Sequence, residues 1–319
     1  MRKWLPPLIG LLSFTVALVV LRRELAGTSA AEIAAQLRAI PAHRIVLAAL
    51  LTAVDFLPLI GLDWLALRVI GRTLPLRRLA ATSFIGYAFS RAVGFAVLSG
   101  GAVRYRLLAA FGLGPLDIAK LVALAAMISW LGFLAVGGAV FLVDPPLLPA
   151  AITLPVRSTR LLGAGFLLCL LFYLGWCARR VAALRIGSWH LNLPTVRGAC
   201  AQVFVAGLDW VLAAAVPYLL LAPSGMSFAH FIGVYMLAQV AGVASNVPAG
   251  LGVFETVMLL FLGTSVNPAA AIGALAVYRL VFYVAPLAVA ALLFGTIELG
   301  LDRSRRAGRT GSAGRTGPG

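Results

Sequence analysis

The residues on which chemistry could rest are charges set inside otherwise apolar sequence. Asp55, Asp63, Arg91, Asp209, Glu255 and Arg279 interrupt long apolar stretches, and Arg104 and Arg106 flank one. On insertion scales an Arg or Asp at the centre of a membrane helix costs about 2.5 to 3.5 kcal/mol. Such groups are expected to pair, carboxylate with arginine across the chain, or to face a wet cavity. Asp55 and Asp63 stand eight residues apart, near one face of a single helix.

Two glycine-rich segments sit beside these charges. Ser99, Gly100 and Gly101 lead into Arg104, Tyr105 and Arg106, and the run from Ser245 through Asn246, Pro248, Ala249, Gly250 and Gly252 leads to Glu255. Glycine allows tight turns and close backbone approach, and a helix starting after each turn offers free N–H donors to an anion. Guanidinium forks match phosphate oxygens bidentately, so Arg104 and Arg106 are the first candidates for a phosphate, the alternative being simple anchoring at the cytoplasmic face. Glu255 could take a cationic headgroup or a proton, or hydrogen-bond its own turn. Arg91 and Arg279 could hold phosphate or neutralise a carboxylate. Asp63 and Asp209 suit a structural pair and a substrate or proton site equally.

Other chemistries find little support. There is no Walker loop and no paired Cys or His motif, so no metal or cofactor is expected. His43, His190 and His230 are scattered, and Cys169, Cys177 and Cys200 lie in or beside apolar spans as small hydrophobes.

The elements that must position the charges follow from composition. The chain is 62% hydrophobic and 11% charged, well below the charge of a soluble surface, which excludes a soluble domain and turns the net charge of +16 from a nucleic-acid signal into one of membrane orientation. Spans are expected at about 4–21, 45–70, 119–143, 161–178, 200–222 and 270–298, the first uncleaved because Arg22, Arg23 and Glu24 follow it directly. Residues 22–44 read as an interfacial amphipathic helix. Two apolar regions, 80–100 and 230–263, are broken by glycine, proline and polar residues and are expected to be re-entrant hairpins.

Internal repetition organises these segments. Gly61-Leu62-Asp63-Trp64 recurs as Gly207-Leu208-Asp209-Trp210, Phe84-Ile85-Gly86 as Phe231-Ile232-Gly233, and Gly100-Gly101-Ala102-Val103 loosely as Gly250-Leu251-Gly252-Val253, at offsets of 146, 147 and 150 residues. The fold class is therefore an all-α polytopic membrane protein with inverted-topology repeats, about 45–143 and 200–298, each holding one hairpin. With about six spans and two hairpins, a single transmembrane domain covers 1–301 and a disordered basic tail 302–319. Arg2, Lys3, Arg72, Arg77, Arg78, Arg104, Arg106, Lys120, Arg179, Arg180, Arg185, Arg197 and the tail arginines then fall on the cytoplasmic side, against Arg22, Arg23, Arg38, Arg44, Arg157 and Arg160 outside. Both termini are expected in the cytoplasm and the chain in the inner or plasma membrane.

Leu98-Ser99-Gly100-Gly101-Ala102-Val103-Arg104-Tyr105-Arg106-Leu107, Asn246-Val247-Pro248-Ala249-Gly250-Leu251-Gly252-Val253-Phe254-Glu255 and Tyr278-Arg279 together resemble the lysylphosphatidylglycerol synthase transmembrane-region, or flippase-like, family over about residues 1–300. Ala249 stands where that family often has a glycine. The resemblance implies a helical domain that, joined to an aminoacyl-transferring domain, carries the aminoacylated phospholipid to the outer leaflet. The chain ends about twenty residues after its last helix, so a stand-alone member without lysine transfer is expected.

Three functions follow. A lipid flippase would bind its headgroup through Arg104, Tyr105, Arg106, Asn246, Glu255, Tyr278 and Arg279, with Asp63, Asp209 and Arg91 as structural or coupling charges and Gly100, Gly101, Pro248, Gly250 and Gly252 at the hairpin tips. A lipid-modifying enzyme would use Asp63 or Glu255 as general base. A small-solute transporter or a membrane partner of a separately encoded lipid-modifying enzyme is the third. The expected partners are a phospholipid and the membrane, without nucleic acid; a second copy of the chain is left open.

Overall fold

The computed structural model describes residues 40–93, 99–146, 159–179, 184–186, 189–191, 194–245 and 247–313. The span expected at 4–21 and most of the interfacial helix expected at 22–44 lie outside them.

In chain order the elements begin with α1 (Ala42–Val69), α2 (Leu76–Val93), α3 (Ser99–Ala110), α4 (Pro115–Val143) and α5 (Thr159–Ala178). A small ribbon follows, β1 (Leu184–Ile186) paired antiparallel with β2 (Trp189–Leu191). Then come α6 (Val196–Leu221), α7 (Phe228–Ala244), α8 (Val253–Leu262), α9 (Pro268–Arg279), a π-helical turn Leu280–Val284, and α10 (Ala285–Ala313). Among the described residues five stretches are long and apolar enough to cross a bilayer: α1, α4, α5, α6 and Ala270–Gly300. They coincide with the expected spans from 45 onward. The ribbon is a local addition to an otherwise helical fold, and α10 carries helix to Ala313, into the segment expected to be disordered.

Local signals explain several helix ends. Thr195 and Ser227 cap α6 and α7 by accepting from the N–H groups of Gly198 and His230 at 3.2 and 3.0 Å. Pro115 opens α4 with Asp117 in its first turn, where the helix dipole favours an acid. Asp117 also receives Arg72 from the α1–α2 connection at 2.8 Å.

Both interrupted regions form helical hairpins. Gly100 packs on Gly86 and Ser90, and Gly86 on Arg104, so position rises along α3 as it falls along α2. A methyl at Gly100 would lie 1.7 Å from Ser90 Oγ and 2.7 Å from the Gly86 carbonyl oxygen, which is why the crossing needs glycine. In the second hairpin Gly242 of α7 meets Gly250, and Tyr235 meets Phe254 of α8 with ring centroids 5.9 Å apart. The first hairpin is longer than expected. Ser99, Gly100 and Gly101 belong to the opening turn of α3 rather than to the connection at 94–98, which lies outside the described residues, and α3 is a full return arm. Its polar run Arg104-Tyr105-Arg106 hid it from hydropathy.

Each repeat is thus helix, hairpin, helix. α1 and α6 run antiparallel: Gly61 packs against Val205, and Asp55 and Asp209 meet on one guanidinium. Two apolar cores reflect the inversion. One gathers the C-terminal half of α1 with α2, α3 and the first half of α4; the other gathers the ends of α4 and α6 with α7, α8 and α9. Each hairpin belongs to its own core.

Candidate functional site

Between the two cores lies a cavity of about 720 Å³. Its polar wall includes Tyr87 and Arg91 of α2, Arg104 of α3, Asp209 of α6, and Tyr235 and Gln239 of α7. Trp130, Trp210, Phe254 and Phe282 supply apolar surface, and the second hairpin tip contributes Ala249 and Gly250. Side chains of both repeats therefore share one hollow at their interface, where transporters of inverted-repeat architecture bind substrate.

The charges in its wall are paired. Arg91 Nη1 donates to Asp55 Oδ2 at 2.6 Å and its Nη2 to Asp209 Oδ1 at 3.0 Å, tying α1, α2 and α6 together. The Arg91 guanidinium also lies 4.6 Å from the Phe282 ring centroid, a favourable stack for a delocalised cation. Arg104 pairs with Asp63 at 3.1 Å and covers the Tyr87 ring at 4.0 Å. Asp63 in turn accepts from Ser83 Oγ at 2.6 Å and Tyr87 Oη at 3.2 Å. Arg104 lines the cavity, but its Nε is buried against Gly86 of α2 and has no hydrogen-bond acceptor.

The remaining expected residues divide. Arg279 Nε donates to Glu255 at 2.6 Å and its Nη1 to the Ala249 carbonyl at 2.8 Å, while Glu255 accepts from the Gly252 N–H at 2.8 Å. The Pro-x-Gly-x-Gly-x-x-Glu run is thus a closed hairpin tip, with Gly250 and Gly252 in left-handed φ of +63° and +78°. Tyr278 is fully buried, its hydroxyl 3.5 Å from that of Tyr235, and Tyr105 is exposed. Arg106 is buried on Glu298 at 2.6 Å. Of this expected binding set only Arg104 lines the cavity among the described residues; Asn246 lies outside them. Burial also removes Arg104 and Arg106 from the count of cytoplasmic loop charges, because both are held inside α3 by acids of other helices.

Sequence reasoning missed Ser83, Tyr87 and the π turn. Tyr87 stands one helical turn before Arg91, the spacing that puts both on one face. The π turn, which brings Phe282 under Arg91 and Tyr283 within 4.7 Å of Arg279, leaves no composition signal, though such turns recur at functional sites. Glu298, at the foot of the last apolar span, was visible but had no partner in sequence.

The fold and cavity define a polytopic helical membrane protein of two inverted helix–hairpin–helix units around a charged hollow. The chain belongs to the lysylphosphatidylglycerol synthase TM region family, whose model matches residues 8–290. It is similar to an uncharacterized protein, slr0712, of Synechocystis, 36% identical over 98% of this chain and 97% of that one. It is also similar to the inner membrane protein YbhN of Escherichia coli, 32% identical over 74% of each chain. A phosphatidylglycerol lysyltransferase of Staphylococcus xylosus is 38% identical over 97 residues, 30% of this chain and 11% of that enzyme.

Proposed function

We propose that this protein moves a phospholipid or related amphiphile between the leaflets of the inner or plasma membrane, with both of its termini in the cytoplasm. The observation that carries the reading is the charged cavity shared by both hairpins. Arg104 and Arg91 offer guanidinium to a headgroup phosphate, while Asp209 offers carboxylate to an amine. Acyl chains stay in the bilayer beside the apolar helix faces. Inverted units give the cavity two related conformations, one open to each side.

Vesicles containing fluorescent phosphatidylglycerol or phosphatidylethanolamine, with a membrane-impermeant quencher outside, measure leaflet exchange. The protein is expected to speed quenching of the inner-leaflet pool at least tenfold over protein-free vesicles, and equal rates would sink the proposal. Lipid mass spectrometry from a deletion strain separates this reading from an enzyme: unchanged species with altered sidedness are expected.

A further inference from the structure

The buried ion pairs differ in stoichiometry. Arg104 pairs with Asp63, Arg106 with Glu298 and Arg279 with Glu255, but Arg91 pairs with both Asp55 and Asp209. One carboxylate is in excess, in a cluster whose Asp55 side chain is fully buried and whose Asp209 side chain is 10% exposed. An uncompensated charge is strongly disfavoured there.

A second observation bears on the same cluster. Asp55 Oδ1 is buried and has no hydrogen-bond donor, although its other oxygen is bonded to Arg91. Buried polar atoms are rarely left so. The neighbouring carboxyl on the same guanidinium supplies a donor once it carries a proton. The other groups facing this cluster do not supply the missing positive charge: Arg104 of α3 is engaged with Asp63, and Tyr87 of α2, Tyr235 of α7 and Tyr283 of the π turn are neutral phenols. Phe56 and Phe282 contribute rings to Arg91. Arg91 and Asp209 line the cavity, so a proton can arrive through it.

We propose that Asp55 and Asp209 share one proton across Arg91 and that this proton couples the movement of the two repeats. On binding, an O–H bond forms at the shared carboxyl pair and a hydronium ion becomes water; on release the reverse occurs on the other side. With the proton bound the cluster is neutral, and the antiparallel contact of α1 with α6 closes. Without it two carboxylates oppose each other across one guanidinium, and the same contact loosens. Proton occupancy therefore biases the interface that must shift for the cavity to change sides. The coupling rests on the transport reading above; the proton site stands apart from it.

Infrared spectra of the full chain in phosphatidylcholine vesicles at neutral pH detect a protonated carboxyl by its C=O stretch. The band is expected in the wild type and lost in both Asp55→Asn and Asp209→Asn, with the melting temperature of Asp209→Asn near that of the wild type because Asn keeps the neutral form. Asp209→Glu, which retains a carboxyl, is expected to shift the band without abolishing it. A wild type without the band, or a band surviving in both Asn variants, overturns the site. An imposed pH gradient is expected to accelerate lipid exchange in the wild type and not in Asp209→Asn; gradient-independent exchange in the wild type overturns the coupling. A band without lipid exchange retires transport and leaves the proton site standing.

Discussion

At the scale of single residues, Ala249 is held at φ +53° at the second hairpin tip, with its carbonyl accepting from Arg279. The left-handed conformation costs an L-residue about 1–2 kcal/mol, and glycine's freer unfolded chain returns about 0.4–1 kcal/mol. Ala249→Gly should therefore stabilise the protein by about 1 kcal/mol, read as a rise in melting temperature in detergent. Asp63→Asn should do the opposite, by about 3–5 kcal/mol, because Arg104 is left buried without its carboxylate. The charged residues themselves were legible in sequence, since each broke an apolar run. Their partners were not. Asp55 and Asp63 share a helix face yet bind Arg91 and Arg104 respectively, a choice set by where α2 and α3 cross α1. Glu255 and Arg279, candidates for a headgroup, bind one another and the tip backbone instead.

At the scale of elements, the hairpins depend on close crossings. Gly100→Ala should cost about 1–3 kcal/mol, since its methyl meets the Gly86 carbonyl as well as the movable Ser90 hydroxyl; a lower melting temperature checks this. A second element contact joins the repeats at the end of α4, where Asp144 accepts from Ser227 Oγ at 2.5 Å and lies 3.0 Å from His230 Nδ1. The Ser227 hydrogen bond, then that of His230, holds the Asp144 carboxyl below its ordinary value. A lowered folded value means that this contribution is present above the unfolded value of about 3.9 and is lost as pH falls through the lower folded one. Asp144→Asn should accordingly flatten the acid limb of a stability-against-pH profile, with stability slightly lower than the wild type's at neutral pH and close to it at the acid end. Hydropathy found the spans and the second hairpin because their cores are apolar. It truncated the first hairpin because α3 carries two arginines whose charges only the folded packing neutralises.

At the scale of the molecule, the repeats visible as Gly-Leu-Asp-Trp in both halves become two antiparallel units with separate apolar cores and a shared polar seam. Their inversion could be read from repeat order and span count. The cavity's membership could not, because it depends on the π turn and on which faces of α2, α6 and α7 converge. The central claim is that this cavity is the path of a lipid headgroup. Gly101 lines it, and a Cβ added there meets nothing within 4 Å, which leaves room for a cysteine. In a background with Cys169, Cys177 and Cys200 changed to alanine, leaflet exchange by Gly101→Cys vesicles is measured before and after attachment of a bulky maleimide. The exchange rate should fall to that of protein-free vesicles once the cavity is plugged; a rate unchanged by complete labelling would contradict the account.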